Sequence, residues 1–276
     1  MVISTLDGIA NALGNNSSRF VLNKALITSQ IQGSLCSMWR ATGQPAQAAA
    51  PTVAAVPTKA TLGAMDFINQ TVPATSYLAW AAVYNSNTGG GMEIHDRVAH
   101  LGGLNFNIIT SQVTTGLDLS TIGLGVDRRG AADFGDLQWF LEVYAAGGAT
   151  ASNATINVTY NDATTGDLNL LAVGGTVAAG RFIDLIPLIP TASQGKRIRG
   201  INSVILSAAT GSVGNFGFTC TRQRTGIPFG NSPQPSVLTW KDGFPEVPND
   251  SCLMFVVVCS NVNSGTLRGQ GKIVHG

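Results

Sequence analysis

The chain has 276 residues, of which only 11% are charged, and its formal net charge is +1. Soluble domains usually have about a quarter of their residues charged, and a mixed charged surface keeps such domains apart. The near-neutral charge gives no basic footprint for nucleic acid. The composition therefore predicts an assembly subunit, with much of its surface covered by other chains.

Neither a membrane-spanning protein nor a secreted one is expected. The chain has no apolar run long enough to cross a bilayer, and the first residues, MVISTLDGIANALG, lack the basic and apolar regions of a secretion signal. Its cysteines are widely spaced, without the close pairs typical of zinc sites, and we expect free buried thiols and no metal or cofactor. They are Cys36, Cys220, Cys252 and Cys259.

Residues 17–40 are predicted to form a helix. Ser17 or Ser18 can cap it, and apolar residues then recur every three or four positions. This stripe consists of Phe20, Ile27, Ile31, Leu35 and Met38. It could pack on the chain's own β domain or on a neighbouring subunit, and periodicity favours neither.

Residues 41–60 are rich in alanine and carry Pro45, Pro51 and Pro57. Such a segment favours extended geometry and lacks the bulk for a core. We interpret residues 1–60 as a helix followed by an arm that reaches other subunits.

From residue 61 to 276 the apolar period becomes two, which predicts one β-sandwich domain with jelly-roll-like connectivity. The strongest alternations lie in Leu137–Tyr144 and in a hairpin from Ala154 to Ala172. Further strands are predicted at Tyr77–Tyr84, Leu104–Thr110, Arg181–Leu185, Ile201–Ala208, Gly214–Arg222, Leu253–Cys259 and Leu267–Val274. The fold class is mainly β.

The densest polar cluster is Glu93-Ile94-His95-Asp96-Arg97-Val98-Ala99-His100. His95 and His100 are five residues apart, which suits neither one helix face nor one strand face, so we predict a structural loop with paired charges. An enzyme built around Glu93, His95, Asp96 and His100 is the least favoured hypothesis. The chain has no GxSxG elbow or Walker loop, and no catalytic residue is assigned.

Two charged groups are candidates for contacts. The mixture of Asp127, Arg128, Arg129, Asp133 and Asp136 is interpreted as a solvated loop, with a subunit boundary as the alternative. The basic run at residues 196–199 is interpreted as solvated. The candidate subunit-contact residues are Phe20, Ile27, Ile31, Leu35, Met38, Trp39, Arg128 and Arg129.

Three segments resemble a group of uncharacterised virion-associated proteins of tailed bacteriophages. They are Trp39–Gly43 with Pro45, Glu93–Arg97 with His100 and Gly102-Gly103, and Gly271–Gly276. The resemblance implies a virion structural component, such as a capsid decoration (cement) protein or a head-spike, neck or tail accessory. It supplies no site residues.

The first hypothesis is thus a non-enzymatic virion subunit, made in the host cytoplasm. We expect it to form a homo-oligomer, a trimer being favoured, and to contact other virion proteins such as the major capsid protein. The alternative is a particle-borne carbohydrate- or receptor-binding module, because β-sandwiches can present aromatic faces to sugars. Its candidate aromatics are Tyr77, Trp80, Tyr84, Trp139, Tyr144 and Trp240.

Overall fold

A computed structural model describes residues 3–230 and 234–276. The described chain is mainly β, as predicted. Its helices are α1 (Leu6–Asn15) and α2 (Val126–Arg129). Its strands are β1 (Ser17–Lys24), β2 (Leu35–Ser37), β3 (Gly43–Gln44), β4 (Ser76–Asn85), β5 (Gly91–Leu104), β6 (Gln112–Val113), β7 (Gln138–Ala145), β8 (Asn153–Tyr160), β9 (Thr165–Asp167), β10 (Leu171–Ala172), β11 (Arg181–Asp184), β12 (Ile198–Leu206), β13 (Asn215–Pro228), β14 (Ser236–Thr239), β15 (Glu246–Val247), β16 (Leu253–Val258) and β17 (Leu267–His275). Short 3₁₀ turns occupy Met38–Arg40, Ile186–Leu188, Thr191–Ser193 and Trp240–Asp242.

The chain divides into two compact units. Unit 1 comprises Met1–Ala48, Thr58–Asp96 and Gln223–Gly276, and unit 2 comprises Ala49–Pro57 and Arg97–Arg222. Unit 2 therefore interrupts unit 1 in sequence.

Unit 1 contains a sheet in the order β14-β4-β17-β1-β3 and a ladder of β2, β16 and β5. Their inward side chains form one core, to which β1 contributes Phe20 and Leu22 and β16 contributes Phe255. The Phe20 and Phe255 rings lie 6.5 Å apart. Burial of these alternating side chains is the main stabilising contribution to the unit.

Unit 2 contains a sheet in the order β10-β8-β12-β6 and a ladder of β11, β7 and β13. Ile156 and Val204 on the first face the same core as Leu141 and Phe218 on the second. Trp139 is buried there, and its indole N–H donates to the Ile198 carbonyl at 2.9 Å. A hydrogen bond at this position avoids the cost of burying the indole N–H unpaired.

The predicted helix over residues 17–40 is wrong. Residues 17–24 form β1, which pairs antiparallel with β17 along its whole length, with Val21 opposite Gln270. Phe20, Leu22 and Lys24 point inward, so this segment also fits the period of two that is typical of a strand. Pairing with β17 decides between the helical and the strand period. The structure instead places a helix at Leu6–Asn15, where the Thr5 hydroxyl caps it by accepting from Gly8 N–H at 3.0 Å.

The predicted loop at residues 93–100 is also wrong, since this segment lies within β5 and is almost entirely buried. The strand predicted at Leu104–Thr110 is wrong as well, because β5 ends at Leu104 and a turn follows. The strands predicted around Tyr77–Tyr84, Leu137–Tyr144, Leu253–Cys259 and Leu267–Val274 are confirmed, as is the hairpin that starts at Ala154.

Part of the predicted arm is docked within unit 2. Ala55 and His100 exchange two backbone hydrogen bonds, of 3.0 and 3.1 Å. The Pro57 carbonyl accepts a hydrogen bond of 2.9 Å from the Arg128 guanidinium. These contacts attach residues 49–57 to their own chain.

Candidate functional site

The densest polar arrangement in unit 2 is centred on Arg97. Its guanidinium Nη2 lies 2.7 Å from Oε2 of Glu142, and both side chains are buried. The same Nη2 donates to the hydroxyls of Tyr144 (2.7 Å) and Thr219 (2.9 Å). Both hydroxyls in turn donate to Glu142, at 3.0 and 2.6 Å. Additional hydrogen bonds of this kind offset the desolvation cost of burying a charge pair.

The groups around this pair are fixed in their neutral states. Burial, together with the charge of Arg97, lowers the pKa of His100 to about 2. Its Nδ1 accepts from Arg97 Nε at 2.9 Å. Burial also raises the pKa of the Tyr144 hydroxyl far above its ordinary value. Neither group is poised to transfer a proton near neutral pH, where a general acid or base needs its pKa.

The rest of the polar segment belongs to unit 1. Asp96 accepts from Arg224 (3.1 Å), the Ser251 hydroxyl (3.0 Å) and the Cys252 backbone N–H (2.8 Å). His95 Nε2 lies 2.8 Å from Glu93 Oε2. Asp96 is thus a structural anchor with its acceptor capacity in use.

His275 lies between two serines in unit 1. Its Nε2 is 2.7 Å from Ser18 Oγ and its Nδ1 is 3.0 Å from Ser76 Oγ. A catalytic serine–histidine pair is usually oriented by a third group, most often a carboxylate. Here a serine takes that place, and burial lowers the pKa of His275. The arrangement fastens β17 to β1 and β4.

Within the described residues, no group of three or more histidine, cysteine or carboxylate side chains could hold a metal ion. The four cysteines are buried. In the same part of the chain, no helix is long and apolar enough to cross a membrane.

The candidate contact residues lie in different environments. Phe20, Met38 and Trp39 are buried in unit 1, whereas Ile31 is 61% exposed. Ile27 and Leu35 are half-buried. The structure therefore leaves Ile31 best placed for a contact with another chain.

The two candidate arginines follow one another in unit 2. Arg128 is buried and donates to the carbonyls of Pro57 and Arg97. The Arg129 guanidinium lies 5.7 Å from the Phe134 ring centre. Arg128 therefore fills a structural role within its own chain.

Unit 2 presents an uncharged group of exposed apolar side chains that sequence reasoning missed. This apolar patch consists of Ile108, Ile109, Val113, Ile205 and Val213. Val113 is 66% exposed and pairs with Ser203, two residues before Ile205 on the same strand. The Val213 carbonyl accepts from Phe106 N–H, which ties it to the turn before Ile108. Contiguous exposed apolar surface marks interaction sites more often than isolated residues do.

A second surface is the outward side of the large sheet of unit 1. We call it the aromatic–basic face: Arg19, Val21, Asn23, Trp80, Ala82, Tyr84, Val237, Thr239, Arg268, Gln270 and Lys272. Val21 and Val237 are about half exposed, at 50% and 51%. Pairing places Trp80 beside Lys272 and Tyr84 beside Arg268. The aromatic residues were candidates from the sequence alone, whereas their pairing with Lys272 and Arg268 is known only from the strand register.

The other candidate aromatics are not available to a ligand in the same way. Trp139 and Tyr144 are buried. Tyr77 stacks on Phe244 with ring centres 4.6 Å apart, and Lys241 lies 5.7 Å from the Trp240 ring centre. Trp80 and Tyr84 are half-buried on the outward side of the sheet, and they are the candidate aromatics for a glycan.

No protein-family model and no curated protein matches this chain. Among solved structures, the structure of infectious bursal disease virus Gx strain is weakly similar, with 10% sequence identity and a TM-score of 0.21. The alignment covers 95% of this chain and 82% of the viral chain. The infectious bursal disease virus VP2 subviral particle aligns with the same shares, at 10% identity and a TM-score of 0.17. This weak structural similarity to a viral capsid protein carries no functional inference.

Proposed function

We propose that this chain is a non-enzymatic structural subunit of a virus particle, which associates with its own copies and with neighbouring virion proteins. The observation that carries the proposal is the apolar patch, a group of exposed apolar side chains on segments that pair or hydrogen-bond with one another in unit 2. In a chain with so few charges, little opposes association through such a surface.

The polar groups of the chain support a structural rather than a catalytic role. Arg97 and Asp96 are buried and hydrogen-bonded, and His100 is held neutral. These residues belong to the segment through which the chain resembles virion-associated proteins of tailed bacteriophages. A role in holding the fold together accounts for them without any reaction.

The finer role follows from the same features. A capsid decoration or cement protein stabilises a particle through subunit contacts, and it requires exposed apolar surface on a rigid body. Each unit has a core lined by two facing sets of strands, from which we propose a β-sandwich body of the jelly-roll type. A homotrimer is the oligomer that we favour.

Electron microscopy of the parent particle tests this role. An antibody against the purified chain should label the particle at regular, symmetry-related positions. Particles that contain no copy of the chain, or free chain found only in the lysate, would contradict the proposal.

A further inference from the structure

The aromatic–basic face combines rings and cations in matching rows. Across β4 and β17, Trp80 lies beside Lys272 and Tyr84 beside Arg268, while Ala82 and Gln270 form the row between them. Each ring thus has a cation on the adjacent strand. The central row is uncharged.

The dimensions of this face suit a short extended polymer. Trp80 and Tyr84 are four residues apart on one strand, which separates them by about 13–14 Å. Three neighbouring strands, β4, β17 and β1, span about 10 Å across. A chain of two to three sugar rings can therefore contact both aromatic rows at once.

The charges on this face have one sign. Arg19, Arg268 and Lys272 point outward, and no aspartate or glutamate occurs among the strand residues that define the face. The carboxylate of Asp242 lies at its edge, where it accepts from the Thr239 backbone N–H and hydroxyl. Arg19 Nη2 donates to Gln270 Oε1 at 2.5 Å, and Lys272 Nζ donates to the Leu13 carbonyl at 2.5 Å. These bonds hold the two cations in place, and the exposed Arg268 retains donors for a ligand.

We infer that the aromatic–basic face binds an acidic oligosaccharide that bears carboxylate groups. Tryptophan and tyrosine rings present an apolar face to a sugar ring and carry a polar N–H or O–H group at the ring edge. Asn23 and Gln270 supply amide groups for sugar hydroxyls. The planar donors of Arg268 and Arg19 match a carboxylate.

A single-stranded nucleic acid is the less favoured ligand. It also uses aromatic stacking, but it requires a basic groove that follows successive phosphates. Here the row between the two cation–aromatic pairs is neutral, and the whole chain carries a net charge of only +1. The distribution of charge thus favours the oligosaccharide.

Titration calorimetry on the full chain tests the inference. The probes are oligogalacturonate and a hyaluronan oligosaccharide, with neutral dextran oligosaccharide and a dodecathymidylate as comparisons. We expect the wild type to bind an acidic oligosaccharide and to ignore dextran. Trp80→Ala and Arg268→Gln should each weaken binding about tenfold, the equivalent of one lost good contact.

Two matched variants separate specific contacts from general effects. Trp80→Phe retains a ring and should keep most of the affinity, and Arg197→Gln removes an exposed cation from unit 2 and should change nothing. Arg268 is exposed on the sheet surface, so Arg268→Gln should leave the circular dichroism spectrum unchanged even if Trp80→Ala does not.

Three results would overturn the inference. They are no binding of either acidic probe by the wild type, unchanged affinity in Arg268→Gln, and tighter binding of dodecathymidylate than of both acidic oligosaccharides. The last result would assign the face to nucleic acid. None of these results bears on assembly through the apolar patch, which is in the other unit.

Discussion

Arg97 and Glu142 form a buried ion pair, with Nη2 2.7 Å from Oε2 and less than 2% of either side chain exposed. They are 45 positions apart in sequence, on β5 and β7. The pair lies within unit 2 and is closed by the hydroxyls of Tyr144 and Thr219. Its burial makes the geometry of both strands depend on every member of the network.

Glu142→Gln should destabilise the fold strongly, because it leaves the Arg97 guanidinium buried without an anion. We expect a loss of about 3–5 kcal/mol in the free energy of unfolding, measured by urea denaturation. Asp66→Asn is the control, since Asp66 is largely exposed and 3.7 Å from Lys59, and its midpoint should stay close to the wild type.

The double variant Arg97→Met/Glu142→Gln sharpens this test. The double variant no longer buries the Arg97 guanidinium without an anion, so it should be more stable than Glu142→Gln alone. Equal or greater loss in the double variant would show that the pair contributes mainly by packing.

Stability should fall as the pH drops below about 6.5. His100 is neutral in the fold because burial lowers its pKa to about 2, whereas the unfolded chain protonates it near 6.5. Between these two pH values the unfolded state therefore binds more protons than the folded state. The contribution of neutral His100 to stability is fully present above pH 6.5 and is lost as the pH falls. Between pH 7 and 5 the loss from His100 is about 2 kcal/mol.

Unfolding measured at both pH values in wild type and His100→Gln isolates this contribution. The variant should have a flatter pH dependence. His275, whose pKa is also lowered by burial, adds to the slope in the same direction. An identical slope in wild type and variant would contradict the neutral, buried assignment of His100.

Gly271→Ala should destabilise unit 1, because a Cβ at this position would lie 2.2 Å from the Phe20 ring and 2.5 Å from the Trp80 carbonyl oxygen. Overpacking of this kind costs about 1–3 kcal/mol. Gly14→Ala is the matched control, since Gly14 lies in α1 with no neighbour within 4 Å, and alanine there should be neutral or stabilising. Thermal melts of both variants make the comparison, and equal melting temperatures would exclude the close ring contact.

Ile109→Ser/Val113→Ser should reduce self-association without unfolding the chain, because both side chains are mostly exposed. Leu170→Ser is the control, an exposed apolar residue of the same unit outside the apolar patch. Sedimentation velocity across a concentration series should show weaker association in the double variant alone. Equal weakening in the control would mean that general surface hydrophobicity drives association.

Local alternation predicted several strands correctly, as in Leu137–Tyr144 and Leu267–Val274. The second has a more exposed face over much of its length, whereas both faces of the first are buried. The same reasoning failed at residues 17–40, where Phe20 fits both a helical stripe and a strand face. Sheet pairing with β17 decided the outcome.

The failure at residues 93–100 has another cause. Charged residues in sequence suggest solvent, and the partner that neutralises Arg97 is Glu142, a long-range contact that local patterns do not reveal. The aromatic–basic face was hidden for a similar reason, because Trp80 and Lys272 become neighbours only through strand register.

The proposed structural role is tested most directly by the mass of the purified full chain in solution. Multi-angle light scattering at micromolar concentration should give a homo-oligomer, with a trimer at three times the chain mass of 28.6 kDa. A homogeneous species of 28.6 kDa that also fails to co-sediment with the parent particle would contradict the account.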